Sequence, residues 1–291
     1  MKGQFISFLA GSRVPRVHLT AVVGGGDSLL LTHLIEHYRG LGVESFYLTR
    51  HAESTKDPTY EEIEHYARAG GVNLFATYIG PWGHDLHGRL INVAMAENPD
   101  DWYVVVDLDE FHVYDRPLVD LIEFCERSGY YHVNGCFLDR IAIDGGFPEV
   151  GTTPLWEQYP LGGAVTMRLL RAPTLKTGLA LGRFHLGGGH HGVRGETGVP
   201  RNQSFIQVHH FKWTGSVVER ILTRVERYES GVWRLAYPGV LHEARRFLNY
   251  LDHHNGRIDV TDESLYLYPC GSGYHDHILW NDVADQAEKW G

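Results

Sequence analysis

The stretch Trp102-Tyr103-Val104-Val105-Val106-Asp107-Leu108-Asp109-Glu110-Phe111 decides how the rest of the chain is read. It opens as a continuous aromatic and β-branched run and ends abruptly in acid. A strand that is apolar on both faces belongs in a sheet covered by helices on either side. Upstream of it, strand and helix signals alternate. Val17–Val23 is a β-rich run closed by Gly24-Gly25-Gly26. Asp27 or Ser28 can then cap a helix with Leu30, Leu31, Leu34, Ile35 and Tyr38 at helical spacing and Gly40 as its stop. Ser45–Thr49 is the next strand. Asp57-Pro58 opens a helix to Ala69, because proline at the first helical position loses no needed hydrogen bond. Val72–Ile79 reads as a strand and Leu86–Glu97 as a helix, and Pro117 opens a further helix that ends near Gly129. Single helices between strands imply right-handed crossovers and an α/β fold with a mainly parallel sheet.

Downstream of Tyr130 the pattern turns irregular. Gly and His crowd residues 178–198, Phe205–Phe211 reads as a strand, and Ser216–Tyr228 reads as an amphipathic helix. No repeat and no linker interrupts the chain, so one domain over residues 1–291 is expected. Twenty-six basic against 36 acidic groups give a net charge of −10, which argues against broad binding to nucleic acid or an anionic membrane. Cys125, Cys136 and Cys270 fit no zinc spacing and read as free thiols of a reducing, cytoplasmic compartment. No apolar run reaches the ~18–20 residues that cross a bilayer, and residues 1–16 make a poor signal peptide.

Ligands of parallel sheets bind beyond the carboxyl ends of the strands. Those ends are Gly24–Asp27, Arg50–Glu53, Gly80–His84 and Asp107–Glu110. In an extended chain Asp107 and Asp109 point to one side. Two converging carboxylates repel unless a cation joins them, and hard oxygen ligands suit Mg²⁺ or Mn²⁺. The plain alternative is that the acids merely end the strand.

The D-x-D-E-F segment resembles that of family-2-like glycosyltransferases of the GT-A fold. Leu29–Val43 with Phe46-Tyr47, and His209-His210-Phe211-Lys212-Trp213 before a helix, resemble the same family, so the likeness spans about residues 17–230. It implies a nucleotide-sugar-binding half over 14–130 and an acceptor-side half with C-terminal helices over 131–291. It also implies a divalent cofactor (Mn²⁺ or Mg²⁺), a nucleotide-sugar donor and inverting transfer to a hydroxyl acceptor. Asp109 would meet the metal, Asp107 the metal or the donor's ribose, and His209 or His210 would complete the coordination. Alternation lets only one of that pair face the site, and His210 is the favoured one. Lys212 or Arg89 would meet diphosphate oxygens. Asp27, Arg50 and His51 fall where the family holds the nucleotide, although Gly24-Gly25-Gly26-Asp27 and Thr49–Ser54 replace its usual acidic elements. Asp139, after a presumed fifth strand, is the first candidate base, with Asp144 and Glu149 in reserve. The acceptor is open: a glycan, a small natural product or a modified nucleobase, the last disfavoured by the charge. A sugar-nucleotide-binding protein without turnover and a carboxylate- or zinc-dependent hydrolase are the competing classes. No H-E-x-x-H supports the latter, since His242-Glu243-Ala244-Arg245-Arg246 ends in arginine.

Overall fold

Parallel strands build the first half of the molecule in the computed structural model, which describes residues 16–193, 196–234 and 238–290. The N-terminal stretch weighed above as a leader lies, through residue 15, outside the described residues. Strands β1 (Val17–Val23), β2 (Ser45–Ala52), β3 (Ala76–Ile79) and β4 (Trp102–Asp107) lie in the order β3-β2-β1-β4, every pair parallel. Helices α1 (Leu30–Gly40), α2 (Thr59–Ala69) and α3 (His84–Met95) connect them. Trp102, Val104 and Val106 face the core that holds Leu31, Leu34 and Ile63 of α1 and α2. Tyr103 and Val105 face Ile91 and Met95 of α3. β4 is thus apolar on both faces because both are covered, as its composition implies.

The expected third strand begins later than the sequence suggests. The Val72 amide donates to the Ala67 carbonyl at 2.8 Å and closes the end of α2, so residues 72–75 belong to a turn and a loop. Past β4, the remaining elements are β5 (Glu110–Val113), α4 (Leu118–Ser128), β6 (His132–Ile141), α5 (Leu155–Gln158), β7 (Leu161–Gly163) and β8 (Leu175–Leu181). They are followed by β9 (Ile206–His210), α6 (Val217–Glu229), α7 (Gly239–His253), β10 (Tyr268–Pro269) and α8 (Ile278–Trp290). β8 runs antiparallel to β4, β6 antiparallel to β8, and β9 lies parallel to β6 and antiparallel to β5. The region that looks irregular in sequence therefore holds a ten-residue strand, β6. Gly135 inside it is required by close approach: a Cβ there would sit 2.3 Å from the Ile206 carbonyl oxygen. Asp139, read as following a strand, lies with Arg140 inside β6, and both are fully buried.

The strand ends are aligned by register, with Val22 opposite Asp107 and Val23 opposite Arg50. Gly24 turns the chain out of β1 at φ +144°, and a Cβ on it would lie 2.1 Å from the His51 carbonyl oxygen. Gly24→Ala is expected to destabilise the protein by about 1–3 kcal/mol, read as a lower urea midpoint with unchanged slope. Among the described residues no helix is long and apolar enough to cross a membrane.

Candidate functional site

Leu108 and Asp109 form a tight turn between β4 and β5, so the period of two that would align Asp107 with Asp109 is broken there. The two aspartates join different clusters. Asp107 Oδ2 accepts from Lys176 Nζ at 3.0 Å, and His87 Nε2 stands 2.9 Å from its Oδ1. Lys176 also lies 2.9 Å from Glu110 Oε1 and 3.3 Å from His190 Nε2. Burial opposes the charge on Asp107, but Lys176 and then His87 outweigh it and hold the carboxyl well below its usual range. Burial likewise opposes Glu110, and Lys176 brings it down to about 2 against the repulsion of Asp107. Lys176 is raised by the two acids despite its burial. The antiparallel return of β8 along β4, with Val104 opposite Leu179, carries this lysine back to the carboxyl end.

Asp109 belongs to the second cluster. His210 Nε2 lies 3.8 Å from its Oδ2 and Arg220 Nη1 lies 4.0 Å from the same oxygen. His210 is fixed from behind: its Nδ1 is bonded to Asp139 Oδ1 at 2.9 Å and its ring stacks on Phe137 at 4.0 Å. Asp139 also accepts from the Thr166 amide at 2.5 Å, the Thr166 hydroxyl at 2.7 Å and Trp213 Nε1 at 3.0 Å. Burial works against its ionisation, but these bonds, led by His210, hold its carboxyl below the usual value. Both oxygens are therefore engaged, and Asp139 reaches the crevice only through the imidazole it orients. His209 points the other way, with Nδ1 accepting from Trp156 Nε1 at 3.0 Å.

A group of cations faces Asp109. Arg220 and Arg224 sit four residues apart on α6, on one face. Arg220 Nη2 donates to the Lys212 carbonyl at 2.9 Å, which ties α6 to the segment after β9. Lys212 is pushed down to about 8 by burial and by Arg224, with Asp139 and Asp109 pulling the other way. Burial and Arg220 also lower Arg224. Lys212 and Arg224, both lowered by burial and by neighbouring cations, stand with Arg220 near Asp109, and such a cluster suits an anion.

Of the other expected residues, Asp27 accepts from Ser216 Oγ at 2.8 Å and from the Thr214 hydroxyl, pinning the first loop to the start of α6. Arg50 turns into α2, donating to Tyr60 O at 2.8 Å and Glu64 Oε2 at 3.1 Å. His51 bonds the Gly80 carbonyl at 3.1 Å beside Trp82. Arg89 is exposed on α3. Asp144 is exposed and caps the Gly146 amide at 2.9 Å. Glu149 is exposed beside Gly215, next to the residues that hold Asp27. The glycine-rich stretch 187–189 packs against Gly88 of α3, and the Gly189 carbonyl accepts from Lys176 at 3.1 Å. Lys176, His87, Arg220 and Arg224 escaped the sequence reading, and His190 entered it only within the Gly- and His-rich stretch 178–198; a lone lysine in the apolar run Leu175–Leu181 was the available signal for the first.

Among solved structures, the chain overlays in part on S. aureus TarS 1–349, with a TM-score of 0.36, 12% identity, and 82% of this chain and 72% of that one covered. HddC from Yersinia pseudotuberculosis gives a TM-score of 0.28 at 15% identity over 45% of this chain and 60% of that one. UDP-glucose pyrophosphorylase complexed with UDP-glucose gives 0.26 at 10% identity over 94% and 100%. No protein-family profile matches the chain, and no curated protein matches it. The functional reading rests on the side chains just described.

Proposed function

We propose that the protein is a glycosyltransferase that moves a sugar from a nucleoside-diphosphate sugar to an acceptor hydroxyl. The observation that carries this reading is the convergence of Asp109, His210, Lys212, Arg220 and Arg224 beyond the carboxyl end of β4. A diphosphate is the group that such a set of cations accepts, through charge-assisted hydrogen bonds. Asp109 and His210 also fit a divalent ion, Mn²⁺ or Mg²⁺: one offers oxygen, and Asp139 leaves the other with Nε2 as its free nitrogen. When bound, such an ion adds positive charge where the leaving diphosphate gains negative charge. Lys212, Arg220 and Arg224 bind the phosphate oxygens, and Asp139 keeps the imidazole in register. Asp107, whose side chain is 34% exposed, can accept from the donor's ribose hydroxyl on its open edge. Glu149 at the rim takes the acceptor proton, as Asp139 is enclosed, and a single displacement then inverts the sugar carbon. The first half of the one domain supplies the nucleoside side of the donor, and the second half supplies the cations for its diphosphate as well as the acceptor side. Three buried free cysteines fit work in a reducing compartment.

A thermal-shift panel of UDP, GDP, CDP and TDP, with and without Mn²⁺, tests the reading, because specific binding stabilises the fold by mass action. One diphosphate is expected to raise the melting temperature above the others, and more so with Mn²⁺; a flat panel rejects the proposal. Lys212→Ala and Arg224→Ala are each expected to weaken that nucleotide about tenfold by calorimetry, the scale of one lost charged hydrogen bond. Release of sugar from the donor in the presence of Mn²⁺ separates an enzyme from a protein that only binds.

A further inference from the structure

Phe137 is shared by the two acidic clusters: its ring stacks on His210 at 4.0 Å and lies 5.2 Å from Lys176 Nζ. On the Lys176 side, His87, Asp107 and His190 offer ligand atoms that all lie within 4.8 Å of one another. Two imidazoles and a carboxylate are a common donor set for transition metals. Nδ1 of His87 lacks a hydrogen-bond partner although the residue is only 5% exposed, and its Nε2 lies 2.9 Å from Asp107 Oδ1. Taken alone, this is a second metal site.

The ammonium of Lys176 already fills it. It lies 3.0 Å from Asp107, 2.9 Å from Glu110, 3.3 Å from His190 and 3.1 Å from the Gly189 carbonyl, with 4% of its side chain exposed. A divalent ion drawn to the same carboxylates would be held against a positive charge that cannot leave. We infer that Lys176 is the resident cation of this cluster, so that Asp107 is not a metal ligand and an exchangeable ion is left to Asp109 and His210 alone. The last clause rests on the function proposed above; the role of Lys176 does not. The side chain acts as a positioning residue. It holds Asp107 and Glu110 together as charged groups, and no chelator can remove it.

The consequence is unusual enough to test directly. Removing the ammonium while keeping most of the side chain's length should turn the cluster into the metal site that its donors describe. Mn²⁺ alone is titrated into the full chain and followed by electron paramagnetic resonance, which counts bound ions and detects imidazole nitrogen. K176M is expected to bind one equivalent more than the unaltered protein, and the added ion should vanish in K176M/H87A. In the unaltered protein, D109N should weaken Mn²⁺ at least about tenfold and D107N less than about threefold. Should K176M not fold, K176M/E110Q removes one positive and one negative charge together, keeps His87, Asp107 and His190, and is expected to gain the same equivalent. The inference is overturned if neither Lys176 variant gains an ion. It is also overturned if the unaltered protein holds Mn²⁺ that H87A or H190A releases, or if D107N is as damaging as D109N. An unaltered protein that binds no Mn²⁺ sinks the Asp109–His210 ion instead, and the gain in the Lys176 variants still decides the inference.

Discussion

Asp109→Ala is expected to abolish the proposed sugar transfer while leaving the fold in place: kcat should drop about 10²–10³-fold, the scale of losing one preorganised charge contact. The fold survives because the turn needs only the Asp109 backbone, whose carbonyl accepts from the Phe211 amide at 2.8 Å. Its side chain is 18% exposed and faces the crevice, so truncation opens no cavity in the core. Mn²⁺-dependent nucleotide binding should disappear with activity. Product formation and a circular-dichroism melt, run on the same preparation, check both halves of the expectation. Retained turnover, or full turnover in excess chelator, would remove Asp109 from the mechanism.

The second large effect is at Asp139, and it separates two roles. As the group that orients His210, Asp139→Asn should raise the Mn²⁺ concentration needed for half-maximal turnover by about 10–100-fold, the usual cost of losing a ligand's supporting hydrogen bond. It should also destabilise the protein by about 1–3 kcal/mol, since an amide presents a donor where Thr166, His210 and Trp213 all donate. As a base, the same change would lower kcat and leave the Mn²⁺ requirement alone. Steady-state kinetics across a Mn²⁺ series, with urea unfolding alongside, distinguishes the two.

Much of the first half was legible because its signals are local. β4 runs over Trp102–Asp107 and α4 over Leu118–Ser128, where an apolar run and a Pro/Gly pair announced them. α1, α2, β9 and α6 likewise follow apolar spacing and stop signals within the chain itself. The site was legible only in part. Asp107 and Asp109 stood out by their place at a strand end, but the turn at Leu108 sends them to separate partners, and no propensity marks that turn. Asp139 was expected beyond the end of a strand, because charge inside a strand is rare. It is tolerated here because Asp139 is saturated with donors, while Arg140 donates to the carbonyls of Tyr159, Cys270 and Gly271. His87 meets Asp107 from α3, and Lys176 and His190 meet it from β8 and the loop that follows, through sheet order that periodicity does not encode.

The return of β8 beside β4 sets an order on how the protein is made. Glu110 is fully buried, and its counter-charge arrives on a strand that begins at Leu175. Until that strand has been synthesised and docked, closing the first half would enclose a carboxylate with no cation, which is strongly unfavourable. The nascent chain therefore leaves the end of β4 without its counter-charge until the 69 residues that separate Asp107 from Lys176 have emerged. Docking of β8 then extends the sheet and neutralises Glu110 together, and a chain cut short before Lys176 lacks the cation that its buried acids face.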